Sequence, residues 1–350
     1  MVMLKRVLIV GLGSIGMRHA RLVRVVVPNV EVIALRHQDY PGQLPVGIDH
    51  SVSSLADALK FSPQAAVVAT PASYHLDVAL PLASAGVHLL VEKPISNATH
   101  GVSGLIDACL AQGVTLMTGY NLRFSLSLQR FRELLQEQRV GAVFSIRAEV
   151  GQFLPSWRPD SDYRETVSVK AALGGGVLLE LSHEIDYLRW LFGEIEWVSA
   201  IQRKQSGLEI DVEDTAHLIL GFAHEPAARP VIAALSMDFI RHDTTRTCTV
   251  IGETGSLRWN VLTGTVEIFE QGVSFWKTLF ADASQRDDSY IAEWRHFLAC
   301  IANGAPPIVS GHDGLAVLRV VEAARHSSTT GSVVHIKSQH EGDKEPRTCT

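Results

Sequence analysis

The stretch Val7-Leu8-Ile9-Val10-Gly11-Leu12-Gly13-Ser14-Ile15-Gly16 decides the architecture. Four apolar residues run into a Gly-x-Gly-x-x-Gly cluster, and a helical pattern continues to about residue 27. This order reads as a buried strand, a tight turn and a helix N-terminus. The first glycine permits the turn, the second lets a pyrophosphate approach the backbone, and the third lets the helix pack on the strand. The helix start adds unpaired N–H groups and a positive dipole end, which together favour an anion. Gly11, Gly13, Ser14, Ile15 and Gly16 are therefore the candidate phosphate-binding residues of a dinucleotide site.

Outward from this stretch the pattern repeats. Short apolar runs at 30–35, 65–69, 87–91 and 114–117 alternate with helical patterns at 14–27, 53–61, 74–85 and 99–112. Continuous apolar strands separated by helices predict an α/β, doubly wound parallel sheet covered on both faces. After Tyr120 the texture changes. A helix over 125–138 leads into an alternating strand at 143–150, then a polar loop, Gly174-Gly175-Gly176, and one long helix ending near Gly193. Strands at 197–204, 215–222, 231–239, 247–252 and 265–269 follow one another, and helices at 289–301 and 313–326 close the pattern. That succession predicts a C-terminal α+β domain on a large, mostly antiparallel open sheet. The expected division is a dinucleotide-binding domain over 1–120, a substrate-binding domain over 121–336, and a polar, disordered tail over 337–350.

Composition narrows the class. The 350 residues are 46% hydrophobic and 19% charged with a net charge of −6, an ordinary globular balance. Basic residues are scattered, which argues against nucleic acid as a partner. Cys109, Cys248, Cys300 and Cys349 show neither metal-ligand nor disulfide spacing, so a reducing, cytoplasmic setting is expected. Lys5-Arg6 and the apolar run to Val10 lack a cleavage site and read as the first strand rather than a signal peptide. No apolar segment approaches the ~20 residues that cross a bilayer, so no membrane is expected.

Three further segments carry chemistry. Glu92-Lys93-Pro94 follows the strand at 87–91 and places a lysine at a strand's carboxyl end, where open α/β sheets bind ligands; alone, it is also ordinary turn composition. In the helix after the glycine triplet, Glu180, His183, Asp186 and Tyr187 fall near one face by i,i+3 and i,i+4 spacing. An imidazole between carboxylates can be held in one tautomer for proton transfer, although a solvated helix face has the same pattern. His183-Glu184-Ile185-Asp186 lacks a second histidine at zincin spacing, so no metal is expected. Asn121 and Arg123 alternate in a strand-end segment and point to one cleft, unless Arg123 forms an interdomain salt bridge. The loop with Trp157, Arg158 and Tyr163 mixes aromatic platforms with polar heads, as sugar sites do, or is a surface loop.

Taken in order, the glycine-rich turn, Thr70-Pro71 with His75, Glu92-Lys93-Pro94, Asn121 with Arg123-Phe124, and the glycine triplet before His183-Glu184-Ile185-Asp186 resemble the Gfo/Idh/MocA oxidoreductases over residues 4–336. The resemblance implies an N-terminal Rossmann domain and a C-terminal α/β domain whose open sheet often makes oligomer contacts, here a homodimer or homotetramer. It implies an NAD(P)-dependent enzyme that transfers hydride to or from a hydroxyl or carbonyl carbon of a sugar, cyclitol or sugar derivative. Lys93 matches the family's catalytic lysine, Pro94 its frequently cis proline, and His183 its proton-transfer histidine. Thr70, Pro71, His75, Glu92 and Lys93 fall on cofactor-site positions; Glu180 and Asp186 fall on substrate-site positions. The family often has aspartate four residues before the histidine. Here that place is Leu179, and the acid is Glu180, three before.

The ribose position departs from the NAD pattern. An NAD-selective fold usually has an acid at the end of the second strand, but Leu35-Arg36-His37-Gln38 stands there and the first acid is Asp39. Arg36 and His37 suit a 2′-phosphate, which favours NADP over NAD. Two other functions fit the same fold: a dinucleotide-binding regulator without turnover, disfavoured by Lys93 and His183, and a ketoreductase for a nucleotide-linked sugar, with Arg123, Arg158, Arg164 and Lys170 meeting phosphate or carboxylate.

Overall fold

Two sheets organise the computed structural model, which describes residues 4–36, 44–159, 161–223 and 230–336. The first contains β1 (Arg6–Val10), β2 (Glu31–Leu35), β3 (His50–Val52), β4 (Ala65–Val68), β5 (His88–Glu92) and β6 (Leu116–Gly119), all parallel. Helices α1 (Ser14–Val26), α2 (Leu55–Lys60), α3 (His75–Ser84) and α4 (Val102–Gln112) alternate with them. Val7, Leu8, Ile9 and the whole of β4 are fully buried. Strands covered on both faces need apolar residues at every position, which is why their signal was continuous. The order β3-β2-β1-β4-β5-β6 reverses direction between β1 and β4. At such a switch point the strand ends open a crevice for ligands.

The second sheet follows the expected α+β pattern. Its strands are β7 (Val143–Gly151), β8 (Ile195–Arg203), β9 (Thr215–Phe222), β10 (Ile232–Asp238), β11 (Thr245–Gly252), β12 (Gly255–Asn260), β13 (Thr265–Glu270), β14 (Lys277–Ala281) and β15 (Val334–His335). They lie in the order β14-β13-β12-β11-β7-β10-β9-β8-β15, antiparallel except where β7 meets β10. Along β10, Ala233, Leu235 and Met237 are buried while Ile232 and Ala234 are exposed. One face is therefore covered, by α5 (Leu126–Gln136), α6 (Val177–Glu180), α7 (His183–Phe192) and α9 (Gly311–Thr330). The other presents Ile201, Ile219 and Ile232 to solvent.

Helix α8 (Asp288–Asn303) leaves the second sheet and packs against α1. The long helix expected up to Gly193 is two helices. α6 stops at Glu180 and α7 starts at His183, with Ser182 between them taking a hydrogen bond from the Tyr120 hydroxyl at 3.2 Å. Strands β3, β12, β14 and β15 had not been expected. Among the described residues no helix is long and apolar enough to cross a membrane. His37 and the 337–350 tail lie outside the described residues.

Candidate active site

The switch point carries the glycine-rich turn. Gly11 has φ +88°, the left-handed region, and a Cβ there would meet the Ala69 carbonyl oxygen at 2.8 Å. A Cβ at Gly16 would collide with the Gly11 carbonyl oxygen, so the third glycine lets α1 sit on the turn. Gly13 has nothing within 4 Å of its Cβ position. It caps α1 without a side-chain hydrogen bond, and the first turn holds no acid. The helix start is thus open and uncompensated, as a pyrophosphate requires. Beside it, at the end of β4, Thr70 Oγ1 and Ser73 Oγ are buried with no partner among the described residues. These unmet donors fit the polar edge of a nicotinamide nucleotide.

Lys93 follows β5, and its bond to Pro94 is cis. Its Nζ donates to the Glu180 carbonyl oxygen at 2.8 Å and lies 3.7 Å from Glu180 Oε2, with about a fifth of each side chain exposed. Glu180 ends α6 at the lysine and His183 begins α7, where the Lys93 charge still reaches its ring. His183 is half-buried, but its Nδ1 is buried and has no partner among the described residues. Burial, then the charges of Arg246 and Lys93, hold its pKa well below the ordinary histidine value. It is a neutral imidazole. The Tyr120 ring meets it edge-on, with centroids 5.4 Å apart. Burial and the charge of Asp186 push the Tyr120 phenol far up, so it stays protonated.

Other expected site residues are committed elsewhere. Asn121 and Arg123 lie in a short 3-10 turn (Asn121–Phe124), not an extended segment, and do not share a cleft. Arg123 is buried and binds Asp186 through two nitrogens at 2.9 and 2.6 Å, with Asp313 at 3.0 Å and the Ile308 carbonyl at 2.7 Å. This is a salt bridge within the 121–336 segment rather than between domains, and it engages both Arg123 and Asp186 away from a substrate. Asn121 Nδ2 donates to Ser289 Oγ of α8 at 2.8 Å. Tyr187 is buried against Trp259. Trp157 donates its indole N–H to the Gln152 carbonyl at 3.2 Å and packs edge-on against Phe239. Tyr163 accepts from the Glu209 amide, and Arg164 is paired with Asp162 and Glu209. Arg158 is exposed. His75 is buried within hydrogen-bond distance of the Thr70 and Pro94 carbonyls, and ties those two loops together. Glu92 also turns inward: it is nearly buried and contacts His19 rather than the open turn. Arg36 follows β2, half-buried, with its amide on the Val52 carbonyl.

Several residues at the site left no sequence signal. His19, Trp294, Ser182, Glu184 and Arg246 come from distant segments, and periodicity assigns them simply to helix or strand. Glu184 is fully buried and holds Arg246 through both oxygens at 2.7 and 3.0 Å. No cluster of histidine, cysteine and acid suited to a metal occurs among the described residues.

A dinucleotide cradle facing a lysine and a neutral imidazole is the arrangement of a nicotinamide-dependent oxidoreductase. Residues 5–120 match the family model for the oxidoreductase NAD-binding Rossmann fold, and residues 132–336 match that for the oxidoreductase C-terminal alpha/beta domain. The chain belongs to the Gfo/Idh/MocA oxidoreductase family. Myo-inositol 2-dehydrogenase of Thermotoga maritima is 26% identical over 338 residues, 92% of this chain and 96% of the relative. D-apiose dehydrogenase of Paraburkholderia graminis is 26% identical over 284 residues, 77% of this chain and 72% of the relative. The solved levoglucosan dehydrogenase in complex with NADH and levoglucosan superposes with a TM-score of 0.82 at 19% identity, over 95% of this chain and 100% of that one. At that identity the likeness is one of fold.

Proposed function

We propose that this enzyme interconverts a hydroxyl and a carbonyl on an uncharged sugar or cyclitol, with Lys93 and His183 handling the proton. The observation that carries this reading is the Glu180-held Lys93 ammonium within electrostatic reach of His183, whose Nδ1 is buried and unpartnered among the described residues. A bound nicotinamide supplies or accepts the hydride. The chain's own residues do the rest. Gly11, Gly13, Ser14, Ile15 and Gly16 hold the pyrophosphate; Thr70 and Ser73 supply donors near the nicotinamide end. Lys93 donates a hydrogen bond to the substrate oxygen and stabilises negative charge as it develops there. His183, being neutral, takes the hydroxyl proton in oxidation and returns it in reduction.

Charge balance favours an uncharged substrate. Lys93 is offset by Glu180 and Arg246 by Glu184, while Arg123 and Arg164 are already paired. That leaves the exposed Arg158 and Lys170, of the four cations considered, for the phosphates of a nucleotide-linked sugar. The named relatives act on myo-inositol and D-apiose, which are uncharged polyols. NADP is the preferred cofactor in this reading, from Arg36 at the end of β2 and the absence of an acid there. The uncovered face of the second sheet, with Ile201, Ile219 and Ile232, is where a second copy of the chain docks. Buried free thiols at Cys109, Cys248 and Cys300 suit a reducing cytoplasm.

The test is a panel of myo-inositol, scyllo-inositol, D-xylose, D-apiose and levoglucosan with NAD and NADP, followed at 340 nm. Lys93→Met should lose at least 100-fold in kcat, the scale general acid–base groups contribute, while binding NADPH as tightly as the parent. Normal turnover by Lys93→Met overturns the assignment.

A further inference from the structure

Behind the lysine a buried hydrogen-bond chain crosses three elements. Trp294 of α8 donates its indole N–H to His19 Nδ1 at 3.0 Å. His19 of α1 lies 2.8 Å through Nε2 from Glu92 Oε1, and the Lys93 amide donates to Glu92 Oε2 at 3.1 Å. His19 and Trp294 are both fully buried. An indole nitrogen can only donate, so His19 Nδ1 carries no proton. The ring is then the neutral Nε2–H tautomer, and it donates to Glu92. Glu92 receives from both sides, with one oxygen committed to α1 and the other to the backbone of the lysine.

The surroundings keep this polarity. Tyr290 of α8 lies edge-on to His19 at 5.8 Å and carries Arg18 over its ring at 5.0 Å. Glu293, on the same helix, is fully buried with neither oxygen partnered among the described residues. Burial, then the charge of Glu92, raise its pKa well above the usual range, so it carries no competing charge. For Glu92, burial opposes ionisation, while the hydrogen bonds from His19 and the Lys93 amide and the Lys93 charge hold the carboxyl below its usual value.

We infer that His19 is a positioning residue for Lys93: through Glu92 it locks the lysine's backbone to the dinucleotide-binding helix α1, and Trp294 fixes the tautomer that allows this. The inference rests on the reading of Lys93 given above. α1 sets where the cofactor sits and β5 sets where the lysine sits, so a rigid link between them holds the distance over which hydride and proton move. A misplacement of about 1 Å costs on the order of 100-fold in rate.

His19→Leu and His19→Gln separate this role from simple space filling. Glutamine can accept from the indole through its carbonyl and donate to Glu92 through its amide; leucine can do neither. With the panel's fastest polyol, His19→Leu should lower kcat by 10- to 100-fold, at the scale of such displacements, with the NADPH Kd changed less than threefold. His19→Gln should recover most of kcat. In the cofactor-free protein, the Trp294 indole proton, assigned by its absence in Trp294→Phe, should shift upfield in His19→Leu and stay near its parental position in His19→Gln. Equal loss in both variants, or parental kcat in His19→Leu, overturns the inference. Normal turnover by Lys93→Met would instead overturn the reading of the lysine while leaving the indole shifts as stated. If His19→Leu does not fold, Trp294→Phe carries the test. It removes the donor that fixes the His19 tautomer, so kcat should fall at least tenfold with the NADPH Kd changed less than threefold; parental kcat overturns the inference.

Discussion

Replacing Arg123 by methionine tests whether that arginine holds the protein together or holds the substrate. Its guanidinium bridges Asp186 and Asp313 and is 3% exposed, against 1% for Asp186. Removing the cation leaves the Asp186 carboxylate buried without its partner, which costs about 3–5 kcal/mol. Unfolding entropy near 2.1 cal/mol/K per residue gives about 0.7 kcal/mol/K for a chain of this length, so the unfolding midpoint should drop by roughly 4–7 °C. Thermal unfolding followed by tryptophan fluorescence measures this. Trp190, over which Arg123 lies at 5.8 Å, makes the signal sensitive to the site. Arg123→Met combined with Asp186→Leu should recover more than half of the loss, because the stranded charge is gone. A substrate-binding arginine behaves differently: its loss raises KM and leaves the midpoint in place. An unchanged midpoint with a raised KM would refute the structural role.

Three other outcomes follow from the geometry. Gly13→Ala places a methyl group where only open space lies, so the midpoint should hold while the NADPH Kd rises at least tenfold, whereas Gly16→Ala should lower both stability and affinity because it strikes the Gly11 carbonyl; fluorescence titration with melting curves distinguishes them. Glu293 keeps its proton in the folded state above the ordinary 4.5, so its contribution to stability is present below that pH and is lost as pH rises towards its folded value, by up to about 1.4 kcal/mol per pH unit. Glu293→Gln should therefore gain stability relative to the parent from pH 5 to pH 8, and a constant difference across urea melts at those pH values would contradict it. His183 has the opposite sign: its folded pKa lies below 6.5, so stability is full above 6.5 and declines as the pH falls from there, and His183→Phe should flatten that decline in melts between pH 7 and pH 5.

The first sheet was legible because doubly buried strands must be apolar throughout, and β1, β4 and β5 were found on that ground alone. β3 escaped because His50-Ser51-Val52 is short and half-buried, held by pairing with β2 at the sheet edge. β12 escaped because it starts at a glycine and follows a two-residue turn from β11. At the site, Lys93, Glu180 and His183 were read in advance; the structure pairs Lys93 with Glu180 and leaves His183 Nδ1 without a partner among the described residues. The rule used for Asp186 and Tyr187 was sound for one helix, but the break at Leu181-Ser182 divides the segment, and Asp186 turns to Arg123. His19 and Trp294 are 275 positions apart. No local pattern joins residues at that separation; only the packing of α8 on α1 does.

That packing also governs when the site comes into being during synthesis. All six strands of the parallel sheet have been synthesised once residue 120 is made, yet Trp294 and Asn121's partner Ser289 are still to come. At 5–20 residues per second the wait is roughly 10–35 s. Throughout it the outer surface of α1 around His19 stays bare, and Glu92 lacks its fixed donor. The carboxyl end of β5 is therefore completed late, by a helix that follows the last long strand of the second sheet.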